Sequence, residues 1–293
     1  MDYQDFEILV LPDFPMNLGY PKAKVIPTGE VTPPIKRDMA LDKAEGEILA
    51  FLDDDAYPTK EWLTNALRHF EDKEIAAVGG PGVTPAADGL RQKASGMVYS
   101  SWLMSGSHTR RYVPKEESLV DDYPSCNFLV RKSVMREIGG FNTAFWPGED
   151  TFLCLKIIKD LKKKIIYDPK VLVYHHRRRL FKGHLKQITS YALHRGYFVK
   201  RFPETSLKVT YFLPSFFVAG IILGSMGSFL NEAFRALYFL IFGVYLLMVF
   251  LFSFSRDIRL TVLVFSGIII SHIMYGIYFI QGLCAKKMPE EKS

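Results

Sequence analysis

The sequence has little cysteine, which excludes two common classes of protein. Its three thiols, Cys126, Cys154 and Cys284, have neither the paired spacing of a zinc site nor the even number of a disulfide framework. We therefore expect a reducing compartment. We also expect no secretory signal at the start, because residues 1–5 carry two acids and no long apolar core follows.

Charge is missing from long stretches of the C-terminal third, which predicts a membrane domain. Residues 209–230 and 236–254 contain no acid or base, and residues 260–284 contain only His272. Each stretch is long enough for a helix to cross about 30 Å of hydrocarbon. We expect a membrane domain of about three transmembrane helices at 206–285 and a polar tail at 286–293.

Basic residues ahead of these stretches predict their orientation. Clusters at 162–164 and 177–179, and a basic run on to Lys208, contribute to a net charge of +6. Such segments stay on the cytoplasmic side, so we expect a multi-pass protein of the inner cell membrane with residues 1–205 in the cytoplasm. Three lysines of the tail would then lie outside, and a re-entrant or peripheral third segment is the alternative. The basic patch adjoins apolar helices, so no binding to nucleic acid is expected.

Residues 1–205 alternate between predicted strands and helices, which is typical of an α/β domain with a mainly parallel sheet. Residues 88–111 show no clear period. Strands are predicted at 6–11, 24–27, 47–52, 75–78, 125–130, 164–167 and 171–175, and helices at 35–43, 59–70, 131–138, 149–161 and 180–201.

Three consecutive acids end the predicted strand at 47–52. Asp53, Asp54 and Asp55 follow its apolar residues, and Pro58 is expected to stop the strand. Ligands of open α/β sheets bind at the carboxyl ends of strands. Mg²⁺ or Mn²⁺ would relieve the repulsion between the carboxylates. A solvated acidic turn ahead of the helix at 59–70 is the alternative.

Two further pairs of residues allow a chemical and a structural interpretation. Glu149 and Asp150 open a predicted helix, where acids complement the helix dipole, but a carboxylate there could also take a proton from a substrate hydroxyl. His175 and His176 end the last predicted strand. Because adjacent strand residues point to opposite faces, we interpret this pair as a strand end facing solvent rather than as a metal site.

Three tracts stand in an order that resembles glycosyltransferase family 2: FLDDDAYP at 51–58, NFLVRKSVMREIGGF at 127–141 and GEDTFLCLKI at 148–157. The resemblance covers about residues 5–202. It implies a GT-A catalytic domain that transfers a sugar from a nucleotide-diphosphate donor, with inversion and with Mg²⁺ or Mn²⁺. By this match Asp55 would coordinate the metal and the diphosphate. Asp53 would lie near the ribose or base and is a second candidate metal ligand, with Asp54 between them.

The same resemblance extends to residues outside the triple aspartate. The family's usual catalytic base corresponds to Asp150, with Glu149 beside it. The segment Lys36, Arg37 and Asp38 resembles the helix that brings basic side chains toward the nucleotide. These residues are therefore predicted to bind the donor.

Two departures from the family pattern change the expected function. Residues 186–197 lack the QxxRW signature of processive synthases, which argues against a cellulose- or hyaluronan-type activity. Residues 6–11 with Asp13, a further nucleotide-binding candidate, resemble the family's second strand, so the opening strand and its base-cradling loop are expected to be missing.

The function that these observations favour is synthesis of a surface polysaccharide or lipid-linked glycan. The partners would be a nucleotide-diphosphate sugar, a glycan or polyprenyl-linked acceptor and membrane lipids. Two alternatives stay open: a polyprenyl-phosphate sugar synthase, and an inactive relative that acts as a membrane partner subunit.

Overall fold

The computed structural model describes residues 1–291, which form two compact units. Unit 1 consists of Met1–Val83, Pro114–His175 and residues 289–291, and unit 2 consists of Thr84–Val113 and His176–Met288. The strands are β1 Ile8–Val10, β2 Ala23–Val25, β3 Ile48–Leu52, β4 Ala56–Pro58, β5 Ile75–Gly79, β6 Gly82–Val83, β7 Ser118–Val120, β8 Asn127–Arg131, β9 Lys164–Tyr167 and β10 Val173–His175. The helices are α1 Pro33–Lys43, α2 Trp62–Leu67, α3 Leu90–Ser100, α4 Trp102–Ser105, α5 Lys132–Ile138, α6 Glu149–Lys159, α7 Lys182–Arg201, α8 Pro203–Ser206, α9 Val209–Gly227, α10 Glu232–Ser253 and α11 Ile258–Cys284.

The central sheet of unit 1 has the strand order β3-β8-β5-β9-β7. Only β5 and β9 run parallel, and the other neighbours are antiparallel. The predicted α/β class is therefore right, but the sheet is mixed rather than mainly parallel. β8 runs against both of its neighbours, and a strand buried on both faces gives the same continuous apolar run in either direction.

The core of unit 1 lies on both faces of this sheet. One apolar cluster includes Leu153 and Ile157 of α6, and the other includes Trp62 and Leu63 of α2. Trp62, which is 4% exposed, donates its indole N–H to Asn127 Oδ1 at 2.9 Å. The helices on either side thus hold β3 and β8 in position, and the acids follow directly after β3.

A smaller sheet, with the order β4-β10-β6, carries the segment just after the acids. We predicted that Pro58 would stop a strand, but it lies in β4. The difference arises because β4 is an edge strand, where a residue without an N–H is tolerated. β4 and β10 pair antiparallel with Ala56 opposite His175, and this register brings a histidine beside the triple aspartate.

Unit 2 is helical, and α9, α10 and α11 are each long and apolar enough to cross a membrane. α3 lies within residues 88–111, where we predicted no element. Its buried residues include Ala94, Ser95 and Gly96, small side chains that give close packing without an apolar period. The predicted boundary at 205 falls inside unit 2. The two units are defined by packing and not by the position of a bilayer, so the boundary stays a proposal.

Candidate active site

The three aspartates occupy the turn between β3 and β4 and differ in exposure. Asp54 is exposed, whereas Asp53 and Asp55 are half-buried. His175 Nε2 lies 2.9 Å from Asp55 Oδ1, and the imidazole side chain is only 11% exposed. One ligand atom from each of Asp53, Asp55 and His175 can be chosen so that all three lie within 4.8 Å of one another.

His175 is the site residue that sequence reasoning missed. The argument that adjacent strand residues face opposite ways holds, because His176 belongs to unit 2, where its Nδ1 lies 2.5 Å from Asp88 Oδ1. The conclusion that His175 faces solvent was wrong, since its ring turns toward Asp55. Only the antiparallel pairing of β4 with β10 would have revealed this contact, and that pairing is not visible in a local pattern.

The donors at this turn fit a divalent cation. Burial raises the pKa of Asp53. The neighbouring charges of Asp55 and Asp54 add to this shift, and Arg37 and His175 oppose it. Of the three carboxylates at this turn, Asp53 contacts the Arg37 guanidinium and Asp55 contacts the His175 imidazole. Carboxylates suit Mg²⁺ and Mn²⁺, while an imidazole nitrogen favours Mn²⁺ over Mg²⁺.

Arg37 of α1 joins the two acidic motifs of the sequence. Its Nη2 lies 3.3 Å from Asp53 Oδ1 and its Nη1 lies 2.9 Å from Glu149 Oε1. The arginine and glutamate side chains are 13% and 6% exposed. One guanidinium thus places the triple aspartate and the acidic pair in the same crevice, as the order of the motifs predicted.

Glu149 and Asp150 share the first turn of α6 but have different surroundings. Burial raises the pKa of Glu149 to about 7, Asp150 adds to the shift, and Arg37 opposes it. Asp150 is half-buried, and its Oδ1 accepts the backbone N–H of Thr151 at 2.8 Å. Of the two carboxylates, Asp150 is the more exposed, and Glu149 is the one that contacts Arg37.

α1 also holds the start of the loop that leads to this pair. Its first turn contains Pro33 and Pro34, where the missing N–H groups cost nothing. Asp38 accepts the backbone N–H groups of Phe141 and Asn142 at 2.7 and 3.0 Å. With Arg37 on Glu149, α1 grips loop 141–148 at both ends. The predicted contact of Asp38 with a nucleotide stays a prediction.

The preceding turn requires glycine for two separate reasons. Gly140 has φ +78°, in the left-handed region. A Cβ at this position would also collide with the Asp38 carboxylate. The close approach lets the carboxylate reach the two N–H groups.

The remaining predicted donor-binding residues, Lys36 and Asp13, form an ion pair. Lys36 Nζ also donates to the carbonyl of Leu11 at 3.2 Å. This pair links the segment after β1 to α1, and it places a lysine beside the arginine that spans the acids. Their contact with a donor stays a prediction.

A second cluster with donor atoms close together consists of His69, Glu117 and Asp168. Arg68 Nη2 lies 2.7 Å from Asp168 Oδ2, and His69 Nε2 lies 2.8 Å from the same oxygen. These contacts, with the backbone N–H of Lys170, hold the pKa of Asp168 low despite its burial, which acts in the opposite direction. A guanidinium already supplies the countercharge here, so we describe the cluster as an ion-pair network.

Comparison with known proteins identifies the domain that carries the acids. Residues 3–139 match the family model described as glycosyl transferase family 2. The match covers 137 of the 293 residues and includes the triple aspartate. The family predicted from the three sequence tracts is therefore confirmed.

Curated relatives match about half of this chain. A pre-mycofactocin glycosyltransferase of Mycobacterium tuberculosis is 32% identical over 149 residues, which are 50% of this chain and 31% of that protein. A glucosyl-dolichyl phosphate glucuronosyltransferase of Haloferax volcanii is 23% identical over 147 residues, 47% of this chain and 46% of that protein. The chain thus matches less than half the length of either relative.

A solved structure supports the fold. A mannosyltransferase of Pyrobaculum calidifontis, in complex with GDP-Man and Mn²⁺, gives a TM-score of 0.50 at 16% identity. The match covers 96% of this chain and 79% of that one. The GT-A architecture expected from the sequence is confirmed.

Proposed function

We propose that this protein is an inverting, metal-dependent glycosyltransferase that uses a nucleotide-diphosphate sugar. The acceptor would be a glycan or a lipid-linked sugar of a surface polysaccharide. The observation that carries the proposal is the contact of Arg37 with both Asp53 and Glu149. This contact supports the proposal, because the candidate cation ligands and the candidate proton acceptor would then lie near each other. Sugar transfer from a diphosphate requires both.

The donor side of the site would be built from Asp53, Asp55 and His175. These residues would hold Mg²⁺ or Mn²⁺, and the bound cation supplies positive charge that offsets the charge gained by the departing diphosphate. Lys36 and Arg37 would add positive charge beside the same phosphates.

On the acceptor side, Asp150 would take the proton of the attacking hydroxyl. The hydroxyl oxygen forms its bond to the anomeric carbon while the bond from that carbon to the diphosphate breaks. A base on the face opposite the leaving group makes this a single displacement, which inverts the anomeric centre. Glu149 has a different role, since its carboxylate orients Arg37 and thereby the first turn of α6.

The setting would be the inner cell membrane, with the transferase domain in the cytoplasm. α9, α10 and α11 have the length and composition of membrane-spanning helices, and basic residues precede them. The Haloferax volcanii relative is named for transfer to a lipid-linked sugar, glucosyl-dolichyl phosphate. Both observations support an acceptor carried on a membrane lipid.

The test uses the full-length chain in detergent with UDP- and GDP-sugars and Mn²⁺. Asp150→Asn should bind nucleoside diphosphate nearly as the wild type does in calorimetry, but lose donor turnover. Asp55→Asn should lose the Mn²⁺-dependent part of binding. Asp160→Asn, an exposed aspartate at the end of α6, is the matched control and should change neither.

Retained turnover in Asp150→Asn would refute the choice of base. If wild-type protein shows no Mn²⁺-dependent binding of any nucleoside diphosphate, the enzyme itself is refuted and a partner-subunit role is favoured. A lipid monophosphate sugar formed from polyprenyl phosphate and labelled donor would replace our acceptor with the lipid phosphate itself.

A further inference from the structure

Unit 2 contains an open groove between the first residues of α3 and the first residues of α11. Its volume is about 460 Å³. Four of the lining side chains are apolar and two are arginines. They are Leu90, Arg91, Ile258, Arg259, Val262 and Leu263.

The apolar wall of the groove continues onto the surface of a membrane-type helix. Ile258 and Val262 are 69% and 56% exposed, and their spacing of four residues puts them on one face of α11. Exposed branched side chains at the end of such a helix are stabilised when hydrocarbon covers them. The wall therefore suits an acyl chain.

The polar rim of the groove carries an excess of positive charge. Arg91 is exposed and forms no ion pair with any residue in 1–291. Arg259 makes two hydrogen bonds to Asp257, from Nε at 3.2 Å and from Nη2 at 3.0 Å. The two arginines of the rim are thus balanced by one aspartate, which leaves a net charge of +1.

We propose that this groove binds an anionic phospholipid. The phosphate would lie on Arg91 and Arg259, because a guanidinium can donate two parallel hydrogen bonds to phosphate oxygens. The methylenes next to the glycerol would run along Ile258 and Val262. This inference depends on membrane insertion of α11 and not on the enzymatic proposal.

A phospholipid fits the groove better than a lipid-linked substrate. The groove is open along its length rather than closed around a ligand, so lipid can exchange with the surrounding bilayer. Anionic phospholipids are the abundant phosphate-bearing amphiphiles of the cytoplasmic leaflet. Arg259 lies in the first turn of α11, at the end of the helix that the basic flanks would place on that side.

The experiment is native mass spectrometry of the full-length chain. The protein would be released from micelles containing equal amounts of phosphatidylglycerol and phosphatidylcholine. We expect wild type to retain phosphatidylglycerol preferentially. Arg91→Gln and Arg259→Gln should each reduce that preference by up to about fivefold, since a basic residue near a charged lipid surface contributes about that factor. Val262→Trp, whose larger side chain would fill the groove, should reduce retention of both lipids.

The matched control is Arg235→Gln, at the opposite end of α10 from this loop and paired with Glu232. It should keep the wild-type preference. An unchanged preference in the double variant Arg91→Gln/Arg259→Gln would overturn the site. Equal loss in Arg235→Gln would also overturn it, because the effect would then be general charge. Displacement of phosphatidylglycerol by polyprenyl phosphate at equal concentration would overturn the choice of a phospholipid.

Discussion

Removal of the Arg37 guanidinium should destabilise unit 1 in a strongly pH-dependent way. In Arg37→Ala, Glu149 loses a partner at 2.9 Å while staying buried, and Asp53 loses one at 3.3 Å. Loss of one member of a buried ion pair costs about 3–5 kcal/mol. The Asp53 side chain is 38% exposed, so water replaces much of the interaction that Asp53 loses. We therefore expect about 3 kcal/mol at about pH 8.

The sign of the pH dependence follows from the pKa of Glu149. That pKa is already raised to about 7, chiefly by burial, and Arg37 lowers it, so the variant raises it further. A raised carboxyl pKa favours the protonated form, so the folded state carries no ionisation cost from Glu149 below the ordinary pKa of 4.5. The stability difference between variant and wild type then grows as pH rises through the folded-state pKa of the wild type. At about pH 6 Glu149 is mostly neutral, and the loss should fall to about 1.5 kcal/mol, the size of a single hydrogen bond.

The assay is thermal unfolding of the full-length chain in detergent across this pH range. Each kcal/mol should lower the melting temperature by about 2–4 °C. Arg37→Lys, which keeps the charge but cannot span both carboxylates, should fall between wild type and alanine. Arg136→Ala, an exposed arginine of α5, is the control. A loss that is equal at both pH values, or larger at the lower one, would refute the assignment of Arg37 to an ionised Glu149.

Three other perturbations separate the contributions of the site and of the helical unit. His175→Gln should weaken Mn²⁺ binding by at least about tenfold in calorimetry, the minimum effect typical even of residues behind a ligand. Asp38→Ala should speed amide exchange at Phe141 and Asn142 and cost about 2–3 kcal/mol, since two charge-assisted hydrogen bonds are lost. Burial lowers the pKa of His184 to about 4, so its stabilising effect is present above pH 6.5 and is lost as pH falls toward 4. Wild type should therefore lose about 2 kcal/mol more than His184→Gln between about pH 7.5 and pH 5.

Each of these expectations has an outcome that contradicts it. Unchanged Mn²⁺ affinity in His175→Gln would mean that the imidazole is not a ligand. Wild-type exchange at residues 141–142 in Asp38→Ala would show that the loop is held without the carboxylate. An equal loss of unfolding free energy toward acid pH in wild type and His184→Gln would show that the pKa of this histidine does not differ between the folded and unfolded states.

The parts of the site that could be predicted from sequence depend on local patterns. The apolar run that ends in Asp53 predicted β3 and the position of the acids, and the first-turn acids predicted α6. Both signals lie within a few residues, where burial and the helix dipole act directly. The helices α9 to α11 were predicted nearly to their ends for the same reason, since the absence of charge is itself a local signal.

The parts that could not be predicted depend on which elements become neighbours. His175 joins the site only through the pairing of β4 with β10, and β4 was missed because it has three residues and contains Pro58. The pairing directions around β8 depend on long connections rather than on its own sequence. α3 was missed because three of its five buried residues, Ala94, Ser95 and Gly96, are small, which weakens the apolar period.

The grip of α1 on both ends of loop 141–148 has a consequence for how such enzymes diversify. Asp38 and Arg37 fix the ends of the loop, so residues 143–147 form an exchangeable cassette between fixed anchors. Grafting this segment from another family member should alter the choice of acceptor and leave recognition of cation and nucleotide intact. Under the proposed function, a changed acceptor after such a graft would assign acceptor choice to these five positions and leave the proposed roles of Asp55 and Asp150 unchanged.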